Sequence, residues 1–211
     1  MKRSAQNPGR ASNRRGTERP RRLPIEVLDK REVAALLDAC RGHGVTDVRN
    51  RALIAVLYRS GLRVSEALSL HPKDVDAVSG AIRVLRGKGG RSRTVGIDQG
   101  GIEHVDRWLR ARASLPFVTP LSPLFCTRTG GAITTASIRR LLPTLARAAS
   151  IAKRVHAHGL RHTHASELRS EGLDIGLISR QLGHADISTT ARYLDHINPQ
   201  AVIQAIGRRG W

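Results

Sequence analysis

Four residues in the last third of the chain have side chains that could together cleave a phosphodiester. His158 and Arg161 stand three positions apart, His184 follows 23 residues later and Tyr193 nine after that. Positions three apart share one face of a helix, so the imidazole of His158 and the guanidinium of Arg161 would point the same way. A phenol can attack phosphorus while cations hold the phosphate oxygens. The pattern therefore indicates covalent attack on a phosphodiester by Tyr193.

Glycines divide this stretch into short helices that would position the four side chains. Gly172 is predicted to end the first helix, and residues 175–182 to form a second that Gly183 ends. A third helix is predicted to begin near Ser188 and to carry the tyrosine. Helices this short fold back on one another, which would bring the two histidines, the arginine and the phenol to one point.

Two basic residues upstream could reach the same substrate. Arg63 lies in GLRVSEAL, just past a helix end at Gly61, and Glu66 is expected to hold it or a neighbouring backbone amide. Lys88 lies between two segments rich in β-branched residues, in the run GKGG, which is a strong hairpin signal. A lysine at the tip of a hairpin could donate a proton to a leaving oxygen.

These motifs resemble those of the tyrosine recombinase (phage integrase) family: H-x-x-R, L-G-H, a tyrosine, an arginine in G-L-R-x-S-E and a lysine in a β-hairpin. All six positions occur in the family's order, and the resemblance runs from about residue 23 to residue 206. It implies a mainly α catalytic domain with a small antiparallel β-sheet. The six catalytic residues that the resemblance implies are Arg63, Lys88, His158, Arg161, His184 and the nucleophile Tyr193.

The resemblance also implies a reaction, site-specific DNA recombination through a 3′-phosphotyrosine, without a cofactor or a metal. Arg63, Arg161 and His184 would stabilise the pentacoordinate phosphate. His158 would accept the tyrosine proton, and Lys88 would protonate the 5′ oxygen that leaves. The implied partner is double-stranded DNA, bound by a homo-tetramer on paired sites, with residues 197–211 docked on a neighbouring protomer. Integration, excision and inversion are all compatible with these residues.

Composition agrees with a nucleic-acid partner. Lys and Arg outnumber Asp and Glu by 36 to 17 in 211 residues, a net charge of +19. The longest apolar run covers residues 52–58, far too short to span a membrane, and a cytoplasmic location is expected. Cys40 and Cys126 lack the paired spacing of a disulfide framework or a zinc site, so both are expected to be buried thiols.

Two parts of the chain are expected. Residues 1–22 hold eight basic residues and one acidic residue without apolar periodicity, which predicts a disordered basic tail, either a solvated terminus or a DNA-contacting arm. Residues 23–211 are expected to form the catalytic domain. Most members of the resembled family carry a separate helical DNA-clamping domain before it, which the tail replaces here. A short recombinase, a truncated integrase and a relict that only binds DNA all remain open.

Apolar periodicity predicts the remaining elements. A helix capped by Asp29 and Glu32 is followed by a second that starts after Thr46 and ends at Gly61. Further predictions are a helix with an apolar face of Ile102, Val105, Leu109 and Ala113 and a short strand over residues 124–126. A later helix is expected to be capped by Thr134 or Thr135 and to be interrupted by Pro143. It is expected to carry Arg139, Arg140 and Arg147 as phosphate contacts.

Two other interpretations of the central motif compete. Histidines at 156, 158, 162 and 164 could bind zinc, although no carboxylate or cysteine stands at a matching spacing; otherwise His162 is expected near the site, with His156 and His164 at the surface. Residues 175–193 could instead form a helix-turn-helix, with Thr190 on a recognition helix. That regulator would leave Arg63 and Lys88 unexplained.

Overall fold

Helices make up most of the described chain, and the expected mainly α fold with a small antiparallel sheet is confirmed. The computed structural model describes residues 26–42, 44–85, 92–184, 186, 190 and 207. Within them lie the helices α1 (Lys30–Asp38), α2 (Val45–Ser60), α3 (Val64–Leu68), α4 (Gln99–Ala113), α5 (Thr135–Ala148), α6 (Ala157–Ser170) and α7 (Ile175–Leu182), and the strands β1 (Val75–Asp76), β2 (Ala81–Val84) and β3 (Arg93–Gly96).

Helix α2 is the centre of the core because its middle is apolar on every side. Each of residues 52–58 is at most 2% exposed. A helix that is apolar all round is stable only when other elements cover it, and α1, α3, α4 and α6 do so. The helix ends at Gly61, whose left-handed backbone (φ 63°) turns the chain towards α3.

The sheet is a three-stranded antiparallel meander in the order β1-β2-β3. Ile82 pairs with Val95 and also with Val75, so apolar side chains line the inner face. Ile82, Val84 and Val95 are almost fully buried, whereas Arg83 and Thr94, which alternate with them along the strands, are exposed. This alternation is the period of two that a sheet covered on one face requires.

Helices α6 and α7 form a pair with a small core of their own. Ala165 of α6 packs with Ile178 and Leu182 of α7, and Leu168 and Leu173 border this cluster. The bounds of α7 are those that the sequence predicted, and Gly183 ends it in the left-handed conformation (φ 64°). Residues 183 and 184 are thereby placed beside the end of α2.

The sequence predicted several local features incorrectly. Helix α2 begins at Val45, with Gly44 as its N-cap, and not after Thr46. The predicted strand over residues 124–126 is a single bridge between Cys126 and Ala132. Strand β1 was not predicted, Ala113 is exposed, and Trp108 supplies the buried side chain of α4. Helix α5 continues through Pro143, and the Pro143 side chain is exposed to solvent.

Other expectations are confirmed. Asp29 and Glu32 form the capping box of α1, and Thr134 caps α5. Cys40 and Cys126 are buried free thiols. Each described helix falls short of the length or the apolar character needed to cross a membrane.

Candidate active site

Helix α6 carries the first two candidate residues, His158 and Arg161, in its first turns. Its N-cap is His156, whose Nδ1 accepts a hydrogen bond of 2.9 Å from the backbone N–H of Gly159. One turn into the helix, Arg161 is buried, with 1% of its surface exposed, while His158 on the same face is exposed. The first turns of the helix therefore carry an exposed imidazole and a buried guanidinium.

The buried guanidinium of Arg161 joins the ends of two helices. Nη1 donates to the carbonyl of Gly61 at 2.6 Å, and Nη2 donates to the carbonyl of Leu182 at 2.5 Å. Both carbonyls lie at helix C-termini, where the unpaired C=O groups carry partial negative charge. These contacts compensate for the burial of the cation and fix α2, α6 and α7 around it.

Arg63 is held by a buried carboxylate. Glu66 is 3% exposed, and its Oε1 accepts from Arg63 Nη1 at 2.9 Å, while Oε2 accepts from the Arg63 backbone N–H at 3.0 Å. Arg93 of β3 adds a bidentate pair to the same carboxylate, at 2.9 and 2.8 Å. Burial alone would raise the pKa of Glu66, but the hydrogen bonds from Arg93 and Arg63 outweigh it and hold that pKa at about 2. The expected support of Arg63 by Glu66 is confirmed.

His184 follows the glycine turn at the end of α7. Its Nδ1 lies 2.7 Å from the hydroxyl of Thr190, which is fully buried. Arg63 Nη2 approaches the adjacent carbonyl of Gly183 at 3.4 Å. Burial, together with the positive charges of Arg161 and Arg63, lowers the pKa of His184 to about 4. The ring is therefore neutral at pH 7 and close to both guanidinium groups.

His158 belongs to a group of rings on α6. Its ring meets that of His162 edge-on, with centroids 4.5 Å apart, and stacks with that of His156 at 6.5 Å. Partial desolvation lowers the pKa of His158, and the charges of Arg161, His156 and Arg63 add to that effect. Burial lowers the pKa of His162 to about 3. The expectation that His162 lies near the site is confirmed.

Four of the six predicted site residues thus meet at one place, although they come from three separate parts of the chain. Arg63, His158, Arg161 and His184 surround a point between the end of α2, the start of α6 and the end of α7. Lys88 and Tyr193 lie outside the described residues. The guanidinium groups of Arg63, Arg93 and Arg161 outnumber the carboxylate of Glu66, and the imidazoles are neutral, so this arrangement suits an anion such as a phosphodiester.

One expectation about the histidines is wrong and another is partly so. His164 is buried, 6% exposed, because it packs against Gly61, where an added Cβ would meet its Cδ2 at 2.6 Å. His156 is a half-buried helix cap and not a plain surface residue. In the part of the chain that the structure describes, no three His, Cys, Asp or Glu side chains are grouped to hold a metal ion.

Sequence reasoning missed Arg93 and Thr190. A signal for Arg93 existed, because it shares the inward face of β3 with Val95, two positions away. An arginine on the covered face of a strand calls for a buried acidic partner. Thr190 gave no such signal, because its contact with His184 depends on how the chain folds after Gly183.

Comparison with known proteins identifies the family of this chain. The sequence pattern of the phage integrase family matches residues 26–199. Tyrosine recombinase XerC of Pelobacter propionicus is 34% identical over 176 residues, which cover 83% of this chain and 57% of that protein. Tyrosine recombinase XerD of Ralstonia nicotianae is 36% identical over 177 residues, with the same two coverages. The chain therefore spans less than two thirds of the length of these relatives.

Solved structures show the same fold. The crystal structure of XerA recombinase superposes with a TM-score of 0.77 at 30% identity, covering 90% of this chain and 68% of that one. XerH site-specific recombinase bound to its difH substrate, in a pre-cleavage complex, superposes with a TM-score of 0.71 at 29% identity, covering 88% and 55%. The catalytic domain of bacteriophage HP1 integrase shares the fold at 22% identity, with a TM-score of 0.58.

Proposed function

The chain belongs to the phage integrase family, and from that premise we propose that it is a tyrosine-type site-specific recombinase that cuts and rejoins DNA. The observation that carries the proposal is the meeting of Arg63, His158, Arg161 and His184 around one point. The anchoring of Arg161 by two helix-end carbonyls supports it, because a buried and fixed guanidinium can bind phosphate without reorganising.

Tyr193 is the proposed nucleophile. Its oxygen forms a bond to the scissile phosphorus as the bond from phosphorus to the 5′ oxygen breaks, which yields a 3′-phosphotyrosine and a free 5′-hydroxyl. The phosphodiester energy is kept in the new bond, so rejoining needs no ATP. Arg63, Arg161 and His184 hold the non-bridging oxygens while negative charge develops on them.

Two proton transfers complete the proposed step. His158 accepts the phenol proton, and its lowered pKa supports this role because the ring is neutral and able to accept at pH 7. Lys88 donates a proton to the 5′ oxygen that leaves. A phenol with a pKa near ~10 is a poor nucleophile at neutral pH, so the surrounding cations must favour the phenolate as the bond forms. This chemistry needs no metal.

Double-stranded DNA is the proposed substrate, and a homo-tetramer on two DNA sites is the proposed working assembly. We assign residues 23–211 to the catalytic domain, residues 1–22 to a basic tail and residues 197–211 to a segment that docks on a neighbouring protomer. Acting on the DNA of a bacterium would place the protein in the cytoplasm. Integration, excision and inversion all use the same cleavage step.

Covalent capture from a randomised library of nicked duplexes tests the proposal. Cleavage just upstream of a nick releases a short fragment, so the protein remains attached to DNA and can be isolated. We expect adducts with the wild-type protein and none with Tyr193→Phe. The chain has two tyrosines, and Tyr58, which is buried and donates to Glu167 at 2.7 Å, supplies the matched control. Tyr58→Phe should still form the adduct.

The same assay separates the competing interpretations. Binding without any adduct would favour a regulator or a relict recombinase, although the burial of Thr190 speaks against a recognition helix that presents it to DNA. A normal adduct from Tyr193→Phe would refute the assignment of the nucleophile. Loss of the adduct in EDTA and its return with zinc would show that the histidines act as metal ligands.

A further inference from the structure

We propose that Arg93 is a positioning residue that neutralises the Glu66 carboxylate, so that the charge of Arg63 stays available to the scissile phosphate. This inference rests on the proposed function and adds a residue that none of the six motif positions includes. Arg93 does not reach the substrate in this proposal. It acts through Glu66 on Arg63.

The division of the carboxylate between the two arginines is unequal. Arg93 makes a bidentate pair with both oxygens, at 2.9 and 2.8 Å. The side chain of Arg63 makes one bond to Glu66, and its second nitrogen only approaches the Gly183 carbonyl at 3.4 Å. A bidentate pair has better geometry and is stronger than a single contact. The carboxylate is therefore committed mainly to Arg93.

The exposed fractions of the three side chains also differ between the two pairs. The side chain of Arg93 is 15% exposed and that of Glu66 3%, whereas that of Arg63 is 27% exposed. The pair of Arg93 and Glu66 is shielded from water, and charges interact more strongly in such an environment than in water. Arg63 faces the open site. Without Arg93, the buried carboxylate would have Arg63 as its remaining cation, and that pair would offer a phosphate little net positive charge.

The turn that carries His184 is shaped around Arg93. A Cβ at Gly183 would lie 2.5 Å from Nε and 2.6 Å from Cζ of Arg93, so a larger residue there would displace the guanidinium from its present position. Gly183 also has a left-handed backbone, which favours glycine independently. Arg93 thus lies between the carboxylate that holds Arg63 and the turn that precedes His184.

A second contact offers a control for a purely mechanical role. Gln181 of α7 pairs with the edge of β3 by accepting from the Gly96 N–H at 2.9 Å and donating to the Gly96 carbonyl at 2.8 Å. Its amide nitrogen also donates to the backbone carbonyl of Ser60 at 3.0 Å. Gln181 therefore ties β3 to α7 without any charge, whereas Arg93 ties β3 to Glu66 of α3 through a charged pair. Replacing it tests tethering, and replacing Arg93 tests tethering and charge together.

The experiment measures single-turnover cleavage on the duplex recovered by covalent capture. A second version of that duplex carries a methylphosphonate at the scissile position, which removes one negative oxygen. Removal of one group that stabilises charge in a transition state costs about a hundredfold in rate or more. We expect a loss of about that size for Arg93→Met on the natural phosphate and a much smaller one on the methylphosphonate. Arg93→Lys, which keeps the charge, should lose less.

A double substitution provides the decisive comparison. If Glu66 is what Arg93 neutralises, Arg93→Met combined with Glu66→Gln should cleave at least about tenfold faster than Arg93→Met alone, a difference of about 1.4 kcal/mol in activation free energy. Gln181→Met should slow both substrates by the same factor. Circular dichroism identifies variants that fail to fold, and if Arg93→Met is among them, the uncharged variant Arg93→Gln, with and without Glu66→Gln, takes its place.

The outcomes separate this inference from the proposed function. If the wild-type protein forms no adduct, the proposed function is wrong. A wild type that cleaves, together with an Arg93→Met protein at full rate, would overturn the inference alone. So would a double variant no faster than Arg93→Met with equal defects on both substrates, because Arg93 would then only tether β3, as Gln181 does.

Discussion

Arg161 donates a hydrogen bond of 2.6 Å to the carbonyl of Gly61, which stands 100 positions earlier in the chain. The bond joins the guanidinium of α6 to the end of the central helix α2. Arg63 lies two residues after Gly61, so the hydrogen bond between Arg161 and Gly61 sets the positions of both arginines. Substitutions at this junction are expected to change stability and catalysis together.

Gly61→Ala should destabilise the protein more than Gly172→Ala. Both glycines have a left-handed backbone, with φ of 63° and 88°, so each alanine meets strain of about 1–2 kcal/mol. At Gly61 the new Cβ would also lie 2.6 Å from His164 and 3.0 Å from Leu182, whereas nothing lies within 4 Å at Gly172. Urea unfolding measures both variants. Equal losses would show that packing at Gly61 contributes nothing.

His164→Phe should weaken the dependence of stability on pH. Burial lowers the pKa of His164 to about 4, and its Nε2 has no hydrogen-bond partner among the described residues. The unfolded chain takes up a proton near pH ~6.5 and the folded chain does not, so stability is full above that pH and falls towards pH 4.

Urea unfolding near pH 7.5 and near pH 5 measures this effect. The wild type should lose about 2 kcal/mol through His164 over this interval, and His164→Phe should not show that part of the loss. His162 and His184 titrate in both proteins and cancel in the comparison. An unchanged pH dependence in the variant would contradict the prediction.

Thr190→Val should slow cleavage by up to about tenfold, whereas Thr190→Ser should keep most of the activity. The Thr190 hydroxyl lies 2.7 Å from Nδ1 of His184, and this contact selects which ring nitrogen carries the proton. Valine keeps the shape and removes one hydrogen bond, which contributes about 0.5–1.5 kcal/mol. Single-turnover rates test this, with DNA affinity as the control. If Thr190→Val cleaves at the wild-type rate, the Thr190 hydroxyl has no role in cleavage.

Lys88→Ala should slow cleavage by about a hundredfold to ten-thousandfold if Lys88 protonates the leaving oxygen. A substrate with sulfur at the 5′ bridging position needs no such proton, because a thiolate leaves readily. The variant should therefore recover selectively on that substrate. Equal defects on both substrates would instead make Lys88 a phosphate contact.

Deletion of residues 1–22 should weaken DNA binding and flatten its dependence on salt. Each phosphate that a basic residue neutralises adds about 0.9 to the slope of log affinity against log salt. Specific and random DNA should be affected alike, because phosphate contacts carry no sequence information. A full-length tail with its eight Lys and Arg residues replaced by Gln is the matched control. An unchanged slope in both proteins would show that the tail makes no phosphate contacts.

The sequence alone determined the helices and the identity of most candidate residues. Caps at Asp29 and Thr134 and the glycine ends of α2 and α7 act over four or five residues, so local patterns were enough to place them. The motifs around Arg63, Arg161 and His184 were found for the same reason. Short pairings such as the bridge at Cys126 were misjudged, because strand pairing depends on a distant partner.

Only the tertiary structure decided how the site is supported. His164 was expected at the surface, but it is buried beside Gly61. Arg93 and Thr190 entered the site through contacts with Glu66 and His184 that no local period encodes. A buried charge needs partners from any part of the chain that the fold brings close. The sequence therefore determined which groups can do chemistry, and packing decided which neighbours set their charge and orientation.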